Sequence, residues 1–211
     1  MSSRHETGWD GIYHRNLPKS LPWELGKPRE VLMRLVDSGR ITPCETLDLC
    51  CGVGTNPSYL AEKGFNVTAL DVSDGAVKHA RDRMRDANVA MNLLVGSFLN
   101  LPFKTEKFGF IFDFGCFHHV EIEYRTVFIM DVKRVLKRKG TYFMVCFSSE
   151  NGPAWNHFRK EQIEQLFKDY FDIKWIRPFS SLEGDNVTRH FYEVLMEKLA
   201  TTTLSEYKPG A

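Results

Sequence analysis

Asp48 stands beside the end of one short apolar run, in the stretch ETLDLCCGVGTNPSYL at residues 45–60, and Asp71 closes a second; Gly52 and Gly54 lie between them. Glycines at that spacing let the backbone turn sharply and let a ligand come close. A carboxylate after the second run, FNVTALD, stands where open α/β sheets hold a ribose. A carboxylate at Asp48 would repel a pyrophosphate. Further on, DFGCFHHV (residues 113–120) gathers Cys116, His118 and His119. A histidine there is a candidate general base, because its ordinary pKa lies near neutrality. Cys116 reads more readily as a packed thiol than as a nucleophile. These residue types suit a nucleotide-like ligand and a proton moved beside it.

The elements that must position them follow from hydrophobic periodicity. Thr46, Leu47 and Leu49 form a short buried strand. Asn56 suits an N-cap and Pro57 the first helical position. Before them, Val31, Leu32, Leu35 and Val36 share one face of a helix over about 29–38, ended by Gly39. The second strand spans 65–71. Ser73 caps a helix whose inner face is Ala76, Val77, Ala80 and Met84. Strands at 91–95, 107–115 and 141–147 and helices at 124–137 and 160–167 continue the alternation. The basic run KRVLKRKG, 133–140, reads as a helix C-terminus halted by Gly140. Strand–helix alternation implies a parallel sheet covered on both faces. The last two strand-like runs, 171–179 and 189–199, are joined by a polar loop and read as an antiparallel pair. Residues 1 to about 26 do not read as a core element, yet Trp9, Tyr13 and Trp23 are too many aromatics for a solvated linker.

The chain has 211 residues, 43% hydrophobic, with a net charge of +1. That is enough for one domain, with or without a cap, and too neutral to draw nucleic acid or an anionic membrane by its overall field. Five cysteines without a CxxC pair argue against a zinc site. Cys50, Cys51 and Cys146 lie in apolar contexts and are expected to be buried, reduced thiols. The start lacks the apolar run of a signal peptide, and no run of about 18 apolar residues occurs. A reducing, cytoplasmic setting without a metal is expected.

A dinucleotide turn, G-x-G-x-x-G, would need its third glycine where Pro57 stands. The order Asp48, Cys50, Gly52, Gly54 instead resembles motif I of the class I S-adenosylmethionine-dependent methyltransferases, with Cys50 in place of the usual first glycine. The N-terminal Trp9, Asp10, Tyr13, Pro22, Trp23 and Gly26 are similar to the cap of the thiopurine, thiol, halide and tellurite methyltransferase group. The resemblance implies a Rossmann-like fold, a mostly parallel seven-stranded sheet in the order 3-2-1-4-5-7-6 with an antiparallel final strand. It implies a cap at 1–27, a methyltransferase domain at 28–200 and a tail at 201–211.

The resemblance also implies S-adenosylmethionine as cofactor, leaving as S-adenosylhomocysteine. Asp48 would attract its ammonium and Asp71 would accept from its ribose hydroxyls. Cys50, Gly52, Gly54, Asn56, Val72, Phe98 and Phe114 would complete the cofactor site, with Ser97 where an acid often meets the adenine amine. Trp23 would wall the sulfonium by cation–π attraction. His118 and His119 would be the catalytic pair. The expected reaction is methyl transfer to a small molecule, with a thiol or other soft nucleophile favoured. The alternatives are O- or N-methylation of a small metabolite of the quinone-precursor type, and a non-catalytic S-adenosylmethionine-binding protein. Nucleic-acid methylation is disfavoured, because Phe114 and Gly115 replace the prolines such enzymes carry and Cys116 follows a glycine rather than a proline. No nucleic acid or membrane partner is expected, and the chain would be a monomer or homodimer.

Overall fold

The computed structural model describes residues 6–199, so the expected tail at 201–211 lies outside the described residues. The helices are α1 (Glu6–Arg15), α2 (Glu30–Asp37), α3 (Thr55–Glu62), α4 (Asp74–Asp86), α5 (Arg125–Val135) and α6 (Lys160–Phe167). The strands are β1 (Glu45–Leu49), β2 (Asn66–Asp71), β3 (Asn92–Val95), β4 (Phe108–Phe114), β5 (Leu136–Phe147), β6 (Phe171–Leu182) and β7 (Thr188–Lys198). They form one sheet in the order β3-β2-β1-β4-β5-β7-β6, the order expected. β1 to β5 run parallel, and β7 runs antiparallel between β5 and β6.

Successive residues of a strand point to opposite faces, and both faces here are apolar. Ile111, Tyr142 and Met144 pack with Phe128, Val132 and Phe167 of α5 and α6. Phe110, Phe112, Phe143 and Val145 pack on the other side with Val31, Leu32, Leu35, Tyr59 and Leu60 of α2 and α3. Each such side chain, fully withdrawn from water, contributes roughly 1.5–3 kcal/mol. The two cores hold the carboxyl ends of β1, β2 and β4 side by side.

Three local expectations are corrected. The N-terminal segment contains a helix, α1, which fastens itself through a small cluster of Tyr13, Leu21, Val53 and Ala76 with Trp9 and Ile12 beside it. Its apolar residues are too few for a core periodicity, because it covers a turn rather than the sheet. Second, Gly54, not Asn56, is the N-cap of α3, at φ +83°. The Asn56 side chain is turned away and accepts the Arg29 N–H at 3.0 Å. Third, α5 stops at Val135, short of Gly140. Leu136 is fully buried and already pairs with Phe108 in the sheet. Burying that leucine outweighs helix continuation. The Ser73 cap stands as expected, its hydroxyl accepting the Ala76 N–H at 3.1 Å.

Gly54 occupies a left-handed conformation, and a Cβ there would stand 2.8 Å from the Ala80 Cβ. Gly54→Ala combines left-handed strain with overpacking, so it should cost about 2–5 kcal/mol. Urea unfolding monitored by circular dichroism will show a lower midpoint for the variant.

Candidate active site

The strand order reverses between β1 and β4, with β2 and β3 added on one side and β5 on the other, and Leu49 of β1 lies opposite Asp113 of the parallel β4. Open α/β sheets bind ligands in the crevice at such a point. A cavity of about 310 Å³ stands there, walled by the β1–α3 turn, the end of β2, the end of β4, the α1 segment and the β6–β7 hairpin.

Asp71 organises the first wall. Its carboxylate accepts the Gly52 N–H at 2.9 Å and the Ser73 N–H at 2.9 Å. Burial pushes its pKa up to about 6, against the pull of those donors. Gly52 has φ +55°, and a Cβ there would stand 3.0 Å from the Tyr13 hydroxyl, so glycine is needed at this turn. Asp48 lies beneath the turn, buried, with Oδ2 lacking any hydrogen-bond partner. Burial raises its pKa well above the carboxylate range, and the nearby Asp113 and Asp71 raise it further. Acids gathered at one end of a sheet, one with an orphan oxygen, make a region that favours a cation.

The N-terminal segment forms the roof. Asp10 accepts from the Ser73 hydroxyl at 2.9 Å and from the Gly75 N–H at 3.1 Å. Glu24 accepts the Thr55 hydroxyl at 2.8 Å and pairs with Arg83 at 3.4 Å. The Trp23 indole donates to the Tyr13 hydroxyl at 3.2 Å, and Trp9 sits edge-on to both Trp23 and His119. Arg29 locks roof to hairpin through two bonds to Glu183, at 2.8 and 2.9 Å, with both side chains buried. The same guanidinium donates to the Trp23 carbonyl at 2.6 Å and lies 4.0 Å over the Phe114 ring.

The end of β4 forms the floor. Asp113 accepts the Cys116 N–H at 2.7 Å and the Tyr142 hydroxyl at 2.8 Å, and burial pushes its pKa up to about 7. It shapes the turn rather than the cavity. His118 is buried and accepts the Phe147 N–H at Nδ1, 3.2 Å away. Burial moves its pKa well down, and His119 and His157 move it further. The ring is therefore neutral and carries its proton on Nε2. His118, Phe147, Phe191 and Phe179 stack in a column with centroids 4.0, 5.2 and 5.3 Å apart.

Cys50 and Cys116 are joined in a disulfide, with Cα atoms 5.5 Å apart. This corrects the expectation of a reduced Cys50 and a merely packed Cys116 thiol. Pairing Leu49 with Asp113 brings the two turns face to face, and Cys50 at φ +54° aims its side chain across the gap. Spacing along the chain, where they stand 66 positions apart, carried no such signal. Cys51 and Cys146 are buried free thiols.

Of the residues singled out from sequence, Trp23, Cys50, Gly52, Asn56, Asp71, Val72, Phe98, Phe114, His118 and His119 line the cavity. Asp48, Gly54 and Ser97 do not; the Ser97 hydroxyl accepts the Leu99 N–H at 2.9 Å. Sequence reasoning missed Arg29, Thr55, Phe147, Glu183, Arg189 and Phe191 as walls. A charged pair split between the start of α2 and a distant hairpin has no motif to betray it.

A crossed-over sheet of this order with one cavity at its switch point defines a Rossmann-like, nucleoside-binding α/β protein. Residues 46–140 match the family described as a methyltransferase domain. The chain is 23% identical over 189 residues to the 2-heptyl-1-hydroxyquinolin-4(1H)-one methyltransferase of Mycobacteroides abscessus, covering 84% of this chain and 82% of that protein. It is 29% identical over 151 residues to the probable thiol methyltransferase 2 of Arabidopsis thaliana, covering 70% and 64%. The fold is shared with the Burkholderia thailandensis 1,6-didemethyltoxoflavin-N1-methyltransferase, solved with its substrate and S-adenosylhomocysteine, at TM-score 0.73 and 15% identity over 95% of this chain and 92% of that one. Residues 46–140 are thus a methyltransferase domain, and the relatives and the fold are those of class I S-adenosylmethionine-dependent methyltransferases.

Removing one partner of a buried ion pair strands the other charge, whereas an apolar replacement of both does not. Arg29→Met should therefore cost about 3–5 kcal/mol. The double change Arg29→Met with Glu183→Leu should recover most of it. Paired denaturant titrations of the single and double variants read this directly.

Proposed function

We propose that the chain transfers the methyl group of S-adenosylmethionine to the sulfur of a small thiol or a similarly soft nucleophile. The state of His118 carries the acceptor assignment. Its Nδ1 is occupied by a backbone donor and its Nε2 holds the proton, so it offers a hydrogen-bond donor rather than a base. A thiol needs little help, since a pKa of about 8.5 already leaves a few per cent thiolate at neutral pH. The likeness to a probable plant thiol methyltransferase supports this reading.

S-adenosylmethionine brings an electrophilic methyl carbon on a sulfonium. Asp71 is suited to accept from its ribose hydroxyls, with Val72 beside it and Phe98 as an apolar wall. Asp48 lies beneath the β1–α3 turn, where the positive end of the cofactor would favour its ionised form. Gly52 gives room for close approach, and Cys50 and Asn56 border the same turn. Trp23, 36% exposed at the roof, presents an indole to a sulfonium. Phe114, Phe147 and Phe191 exclude water on the acceptor side. Holding two reactants in line can supply on the order of 7–11 kcal/mol, so alignment and dryness suffice for a soft acceptor. His118 orients the acceptor through Nε2–H, and His119 is the residue placed to receive a proton where one must leave.

The residues up to about 27 act as a cap over the cofactor, and 28–200 form the methyltransferase domain; Asp10, Trp23 and Glu24 make the contacts that support this division. Among the described residues no helix is long and apolar enough to cross a membrane. We place the chain in the cytoplasm, as a monomer or homodimer acting on a small molecule rather than nucleic acid. There the Cys50–Cys116 bridge is expected to open to two thiols. A second reading, O-methylation of a hydroxylated heterocycle, is favoured by the likeness to the Mycobacteroides abscessus relative and would place His119 at the centre.

S-adenosylhomocysteine release over thiols, phenols, amines, halides and tellurite distinguishes these readings. Turnover limited to soft acceptors is expected, and turnover on phenols alone overturns the thiol reading. Replacing both histidines by Gln should leave thiol turnover within a few-fold, whereas general-base loss on a phenol would cost about 10²–10⁴-fold. Asp71 must be ionised to accept from both ribose hydroxyls. With its pKa near 6, S-adenosylhomocysteine affinity should weaken as pH falls through about 6 and stay level above about 7. Calorimetric titrations across that range, repeated on Asp71→Asn, should show the slope vanish in the variant.

A further inference from the structure

A second cavity, of about 360 Å³, lies at the other end of the β5–β7 ladder. Phe147 and Phe191 mark the active-site end of that ladder, and Thr141 and Glu197 mark the far end. Thr141 and Glu197 line this second cavity with Arg40, Lys174, Trp175 and Arg177.

The charges here are unbalanced. Arg40 and Arg177 both lie over the Trp175 ring, at 4.9 and 4.4 Å from its centroid. Neither guanidinium has a carboxylate partner among the described residues. Lys174 is paired, with Asp172 at 2.5 Å and Glu197 at 3.5 Å. The ladder register shifts between Ile173 and Trp175, leaving Lys174 as the extra residue. Such a bulge re-aims a side chain, which explains how neighbouring Lys174 and Trp175 both reach one cavity. The Trp175 Nε1 is buried and donates to nothing in the protein. Holding two unpaired guanidiniums over one ring costs free energy through their mutual repulsion, and an orphan indole donor adds to it. The repulsion between the guanidiniums falls when an anion enters.

We propose that this cavity binds the phosphate group of a small phosphorylated molecule, at a site separate from methyl transfer. Two guanidiniums without carboxylate partners match a charged oxyanion, and forked guanidinium donors suit phosphate oxygens. The volume exceeds what a bare phosphate needs and falls in the range of small-molecule sites. The basic run Lys137, Arg138, Lys139 leads directly into Thr141, so the same end of the sheet is basic.

The probe is pyrophosphate, titrated against the full chain with sodium chloride at matched ionic strength as control. Tryptophan fluorescence and thermal unfolding are the readouts. Pyrophosphate should change the fluorescence saturably and raise the melting temperature, and chloride should do neither. Arg40→Gln with Arg177→Gln should weaken pyrophosphate binding by about tenfold or more, with S-adenosylhomocysteine affinity unchanged. Trp175→Phe should remove the fluorescence change while keeping a thermal shift. Equal responses from the parent and the double variant, or a chloride response of the same size, overturn the proposal. So does binding to phosphatidylglycerol vesicles without any pyrophosphate response, which would assign these cations to an anionic surface.

Discussion

The buried bond between Arg29 and Glu183 is the constraint on which the shape of the site depends. It joins the roof to the hairpin, two parts of the molecule that no sheet hydrogen bond connects directly. The guanidinium also rests on Phe114, so one side chain registers the roof, the end of β4 and the hairpin against each other. A hydrophobic contact could fill that space, but it would not fix orientation as a forked donor facing a carboxylate does. The hairpin reinforces the join with its own backbone, since the Gly184 N–H donates to the Pro22 carbonyl at 2.7 Å.

Opposite this latch, Asp71 sets another wall of the cavity by the same kind of economy. One carboxylate accepts from two backbone amides, which holds the β1–α3 turn and the start of α4 at a fixed separation. Asp113 repeats the device one strand away and shapes the turn that carries Cys116. Raised pKa values follow at Asp71 and Asp113, because each carboxyl is withdrawn from water to serve backbone donors.

Much of this was legible in the sequence. Apolar strands such as ETLDL and FGFIFDF and capped helices such as the one begun by Ser73 carry their own periodicity and caps, while the sheet order with its reversed final strand came from the family resemblance. Asp71 and Gly52 were legible because a sharp turn and a strand-end acid leave a local pattern. Asn56 misled, since a residue suited to capping was recruited instead by the Arg29 amide. Helix α1 was hidden because it rests on a turn and shows no core stripe. The acceptor wall was hidden for a different reason. Phe147, Glu183 and Phe191 come from strands and a loop whose nearness is tertiary, and each alone reads as ordinary sheet or surface.

The column of rings from Phe179 through Phe191 and Phe147 to His118 crosses three strands, beginning on the outermost one. The edge of the sheet is therefore mechanically continuous with the site. A strand's side chains alternate between faces, so a slip of one residue between β6 and β7 would carry Phe179 to the wrong face and leave the column without its end. The bulge at Lys174 pins that register from the far end of the strand. Insertions in the outer hairpin would thus be felt as a change of tilt in the wall made by Phe147 and Phe191 and, through Glu183, at the roof, while the turns after β1 and β2, built from separate stretches of chain, stay as they are. Diversification at the rim can then proceed without disturbing those two turns.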